Sequence, residues 1–123
     1  MSVGVGAGAA APVATSSNDI VIGVESPQTG TQASNGMDML RGAQLAVRQV
    51  NAAGGVLGGH VRIVALDDQA DPSLGASLVD QAAKAGAVAV IGPYNSGVGK
   101  VNLPLYVKKK IVPLRMTSAT ETE

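Results

Sequence analysis

The sequence has no cysteine, no tryptophan and no phenylalanine, and its aromatic residues are two tyrosines. Without cysteine there is no disulfide, no Cys-ligated zinc or iron–sulfur site, no thiol chemistry and no lipid anchor on a cysteine. With so few rings, the core must be built from Val, Ile, Leu and Ala, which pack well but gain little from large side chains. Net charge is missing too: nine basic residues balance nine acidic ones. A nucleic-acid partner needs a basic stripe, so that class is excluded. The one basic run, residues 108–110, falls where a helix should end and reads as a complement to the helix dipole. No stretch reaches the roughly 18 apolar residues that a membrane span requires.

The first 17 residues, "MSVGVGAGAAAPVATSS", are rich in Gly and Ala and carry no charge. A signal peptide has a basic region ahead of its apolar run, and none is present. "AAAPVATSS" nevertheless has the small-residue character of an export signal's tail. Residues 1–18 therefore read as a flexible leader or the remnant of an export signal, and both readings stay open.

From Asp19 the pattern becomes regular. "DIVIGVES" (19–26) is β-branched and continuously apolar, as expected of a strand buried on both faces. After a polar loop, Leu40, Ala43, Val47 and Val50 recur at helical spacing. Asn35 or Asp38 is expected to cap that helix, and Gly54-Gly55 to end it. "HVRIVALDD" (60–68) reads as the second strand. Asp71 followed by Pro72 is a helix start, with Leu74, Leu78, Val79 and Ala82 on the inner face. "AVAVIG" (87–92) is the third strand; a weaker helix with Pro104 inside runs over 96–108, and "IVPLR" (111–115) is the fourth strand. Strands alternating with helices over short connections predict right-handed βαβ units: an α/β fold with an open parallel sheet and flanking helices, flavodoxin-like in its half.

In such a sheet, ligands bind beyond the carboxyl ends of the strands, where strand order reverses. Three loops at those ends carry small hydroxyls and amides: Ser26 and Thr29 after the first strand, Asn95 and Ser96 after the third, and Thr117, Ser118 and Thr120 after the fourth. Ser96 opens a helix, whose N–H groups favour an anion, so its hydroxyl suits a carboxylate. The plainer reading, that Ser96 or Asn95 simply caps the helix, also fits. Catalytic patterns are poor. His60, the single histidine, lies at the start of a strand, the wrong end of the sheet. Asp67, Asp68 and Asp71 make an acidic cluster better explained by capping and turn formation than by magnesium. No Walker pattern, G-x-S-x-G or metal-spaced set occurs, so no enzyme, cofactor or metal is expected. A phosphoacceptor domain would need an Asp after the third strand, and residues 92–97 offer none.

"VNAAGGVLGG", "DDQADP", "VIGPYNSG" and "VPLRMTSAT", in that order, resemble the first lobe of the type I periplasmic solute-binding proteins, in the leucine/isoleucine/valine- and amide-binding branch of the ABC importers. The resemblance covers 19–123. It implies two α/β lobes closing over a small solute, an exported protein and an ABC permease as partner. It also implies that Ser96, Ser118 and Thr120 contact the ligand, with Asn95 beside them. Asn35 falls where branched-chain-specific members carry a large aromatic, which points to an amide-like or polar solute, since Asn can pair with a group that an apolar wall leaves unsatisfied. Finally, it implies that 19–123 is the N-terminal part of an incomplete lobe, with an open edge at the fourth strand suited to self-association, and that the chain alone binds weakly. A receptor's sensor domain of the same fold is one alternative, and a small flavodoxin-like enzyme or phosphoacceptor domain is the other.

Overall fold

The computed structural model describes residues 18–117. The expected leader up to Ser17, and with it Ser118 and Thr120, lies outside them. Strand β1 (Ile20–Ser26) is followed by helix α1 (Ala33–Ala52), β2 (Val61–Asp67), a short 3-10 turn (Pro72–Leu74) leading into α2 (Gly75–Lys84), β3 (Ala87–Ile91), α3 (Ser96–Lys108) and β4 (Val112–Leu114). All three strand pairings are parallel, in the order β2-β1-β3-β4. The expected open parallel sheet with flanking helices is what the chain forms.

Side chains alternate across β1 and so divide between two environments. Ser26 faces α1, where its hydroxyl donates to the Gly36 carbonyl at 2.8 Å. Glu25, next to it, faces α3 and is bonded by Asn102 and Tyr106. α1 thus covers one side of the sheet and α2 with α3 the other. The main core sits on the second side: Val21, Leu66, Val90, Leu78, Val79, Ala82, Tyr106 and Ile111 form one buried cluster. With few rings available, Tyr106 is the largest fully buried side chain.

α1 differs from its expected form at its start. It starts at Ala33 behind Gln32, with no side-chain cap, so neither Asn35 nor Asp38 caps it; both lie inside the helix. Of its apolar stripe only Leu40 is buried, while Ala43 and Val47 are half-covered and Val50 is exposed. The reason is its position chiefly over β1 and β2. On the same side, Val112 and Leu114 of β4 stand 57% and 52% exposed. At its far end α1 stops as expected: Gly54 and Gly55 adopt positive φ, at 112° and 79°. Asn51 then pairs both its amide groups with the backbone of Val61, aligning the start of β2.

The start of α2 is nearly as expected, with the Asp71 carboxylate accepting from Ser73 N at 2.9 Å, but a 3-10 turn precedes the α-helix. α3 runs through Pro104 without interruption. The basic run at its end holds Lys108 in the last turn, and Lys109 lies 3.6 Å from Asp80 of α2.

Gly92 ends β3 with φ 117°, and its N–H donates to the Leu114 carbonyl at 2.9 Å. A Cβ there would run into the carbonyl oxygen of Glu25 in β1. Both constraints admit only glycine. Gly92→Ala is therefore expected to destabilise the chain by about 1–3 kcal/mol, read as a lowered urea midpoint; an unchanged midpoint would refute the close packing of these two strand ends.

Candidate functional site

β1 and β3 are neighbours in the sheet, yet the chain leaves β1 towards β2 on one side and returns to β3 on the other. Strand order reverses between them, which opens a crevice at their carboxyl ends. Residues 27–32 and 92–95 border it, each leading into the N-terminus of a helix.

Those two helix starts are tied together. Asn95 Nδ2 donates to Gln32 Oε1 at 2.7 Å, joining the residues that precede α3 and α1. Asn95 occupies the N-cap position of α3 but makes no side-chain cap bond: its Nδ2 is spent across the crevice, while its Oδ1 is buried with no hydrogen-bond partner. Ser96 is the first residue of α3 and is exposed. The first N–H groups of an α-helix have no partner within the helix, so this end suits a carboxylate. Asn35 lies in the first turn of α1 and faces a groove of about 430 Å³ shared with Met39, Ile91, Tyr94 and Met116. The structure therefore gathers Asn35, Asn95 and Ser96 at one end of the sheet.

Three other candidates turn out to be structural. Ser26 is fully buried and its hydroxyl is spent on Gly36. Thr29 donates its hydroxyl to Asp67 Oδ2 at 2.6 Å, and Thr117 donates to the Tyr94 carbonyl at 2.7 Å. Short side chains near the main chain serve turns as readily as ligands, and the sequence does not separate the two uses.

The acidic cluster behaves as the turn reading expects. Asp67 Oδ1 accepts from the N–H groups of Gln28, Thr29 and Gln69, while Asp68 Oδ1 accepts from Ala70 N. Gln69 and Ala70 both have positive φ, at 51° and 58°, and the two carboxylates hold that strained pair in place. Burial pushes the Asp67 carboxyl up, but the Thr29 hydroxyl and the backbone donors outweigh it and hold it below its ordinary value. Asp71, bonded by Ser73, is likewise lowered.

One group escaped the sequence reading. Glu25 is wholly enclosed; Oε2 accepts from Asn102 Nδ2 and Oε1 from Tyr106 Oη, both at 2.6 Å. Burial, with the carboxylate of Asp68 beside it, pushes the Glu25 carboxyl up to about 8. Burial and the same Glu25 raise Tyr106 as well. The available signal was a charge inside an apolar strand. Gln32 was missed too, because its partner Asn95 is 63 residues away.

Because Asp67 ties loop 27–32 to β2, Asp67→Ala is expected to cost about 1–3 kcal/mol in urea unfolding at neutral pH. A carboxyl with a lowered value contributes stability above its ordinary 3.8 and loses it on acidification, so the wild-type advantage should shrink below that pH. An advantage that grows in acid would contradict this role.

The sequence profile of the periplasmic binding protein family matches residues 19–123. A Leu/Ile/Val-binding protein homolog of Brucella abortus is 38% identical over 111 residues, covering 89% of this chain and 30% of that protein. The solved substrate-binding protein LivJ of Streptococcus pneumoniae, in complex with isoleucine, superposes with a TM-score of 0.78 at 28% identity, over 85% of this chain and 30% of that one. A leucine complex of a substrate-binding protein from Desulfitobacterium hafniense matches at 30% identity and a TM-score of 0.69, with the same coverage. The chain thus spans about 30% of the length of these relatives. With its parallel sheet, its crevice at the β1–β3 reversal and these matches, the chain belongs to the periplasmic binding protein family.

Proposed function

We propose that residues 19–123 contribute the ligand-facing part of a first lobe in an exported solute-binding protein, which holds an amino acid or amide-like solute for an ABC permease. The observation that carries this reading is the Asn95–Gln32 bridge at 2.7 Å, which sets the N-termini of α1 and α3 beside one crevice. The exposed Ser96 at the start of α3 then offers a hydroxyl and nearby N–H groups to the solute's carboxylate. Asn35, in the groove beside Tyr94, faces the solute's side chain and favours one with a polar or amide end. Ser118 and Thr120 supply the remaining first-lobe contacts. Closure of a second lobe over the solute completes the mechanism. The names of the relatives support an amino acid as the solute class, and Glu25, being enclosed, leaves no open acid for chemistry at the end of β1.

Half a pocket leaves much of its ligand in water, so affinity of the 123-residue chain should be weak, about millimolar. Titration of the 15N-labelled chain with leucine, glutamine and a simple primary amide tests this. The expected result is saturable shifts at Gln32, Asn95, Ser96 and Gly97, with Ser96→Ala weakening the response about tenfold. Shifts confined to other surfaces would overturn the site. Micromolar affinity would overturn the half-pocket.

A further inference from the structure

Asp68 and Asn102 each have a side-chain oxygen that is buried and without a hydrogen-bond partner, Asp68 Oδ2 and Asn102 Oδ1. Both residues, like Glu25, are completely enclosed. The carboxyls of Glu25 and Asp68 lie within hydrogen-bonding reach of each other, and two carboxyls so placed in a buried site cannot both stay ionised without a counter-charge. The counter-charge is either a cation or a proton, and the packing distinguishes them. Asn102 presents its Nδ2, a donor, to Glu25 and turns Oδ1 towards Gly75 of α2, so tightly that a Cβ on Gly75 would strike it. A cation would need that oxygen turned towards the carboxyls. Such an arrangement suits a shared proton.

We infer that Glu25 and Asp68 share a single proton, and that this acid pair is a pH-sensitive latch holding α3 against the ends of β1 and β2. The proton lies on Glu25 and is donated to Asp68 Oδ2, which satisfies the orphaned oxygen. Tyr106 and Asn102, one turn apart on α3, bind the other lone pairs of Glu25. The titratable groups that face Glu25 are Asp68 from the end of β2 and Tyr106 from α3; Asn102 of the same helix is uncharged. Tyr106 keeps its proton throughout, since its own ionisation is pushed upward. Among the described residues, the groups that act on Glu25 are Asp68, Tyr106 and Asn102 and none is a cation, so when the shared proton leaves the two carboxylates repel within the core.

The sign follows from proton counting. Glu25 ionises at about 4.5 when unfolded and at about 8 when folded, so the folded chain holds the extra proton between those values. Its stabilisation is complete below 4.5 and is lost as pH rises through 8. The folding constant should fall about tenfold per pH unit in that window. Asp67 and Asp71, with lowered values, titrate on the acid side of it. Asn95 and Ser96 stand at the start of the same helix, so on the reading proposed above the crevice would loosen together with the latch.

The test needs no ligand, so its failure is separate from failure of that reading. Urea unfolding of the full chain is followed from pH 5 to pH 8, with Glu25→Gln, Asp68→Asn and Tyr106→Phe beside it. Glu25→Gln, a neutral isostere that still donates to Asp68, should flatten the pH slope. Asp68→Asn should reduce it. Tyr106→Phe should lower stability at every pH while keeping the slope, which separates loss of a contact from loss of the proton. Infrared spectra at neutral pH should show the carbonyl stretch of a protonated acid in the wild type and not in Glu25→Gln. A slope that persists in Glu25→Gln, stability that rises over the window, or a wild-type spectrum without that stretch would each overturn the proposal.

Discussion

Burial of β1 on both faces is the constraint on which everything else rests. It lies between β2 and β3, so each of its residues must satisfy a neighbour on either side of the sheet as well as a strand on either edge. The result is a strict alternation. Ser26 takes up α1 through Gly36, Glu25 takes up α3 through Asn102 and Tyr106, and Gly23 leaves room for Val90 and Leu66. A one-residue slip would exchange these partners and strand a carboxyl against α1.

The same placement explains why the crevice forms where it does. A central first strand forces the chain to leave it in one direction and to come back on the other, and the loops at β1 and β3 are left facing one another. Two polar side chains fill that gap, Gln32 and Asn95, and their bond fixes how far the helix starts can separate. The short loops around it are held by Asp67 on one side and by Gly92 on the other. Among the described residues, the hydroxyls of Ser26, Thr29 and Thr117 serve this scaffold.

Much of this was legible in the sequence. Every strand and helix followed from β-branched runs and from apolar spacing, and the family followed from motifs in order. The strand ends needed only a residue or so of trimming. The α1 start was misread because Asn35 and Asp38 have capping chemistry, while Gln32 does not; the loop's tie to Asp67 sets that start instead. The stripe on α1 was legible, but how far it is covered was not, because periodicity reports apolarity and not cover. Ser26 and Thr29 were legible as polar but not as spent, since their partners come from other elements. The Glu25 cluster was beyond any local reading: its members are 43 to 81 residues away along the chain, and only the fold brings them together.

Pro113 has a consequence for how the sheet meets a neighbour. In a parallel strand the N–H and C=O of one residue point the same way, and those of the next residue point oppositely. The Leu114 carbonyl is taken by Gly92, so Leu114 and Val112 direct their backbone inward, to β3. Pro113 is the residue between them that faces out, and it has no N–H. The outer rim of β4 therefore presents an acceptor with no matching donor at its centre. A further strand arriving there meets a gap of one donor in the ladder at Pro113, which weakens main-chain pairing at that point.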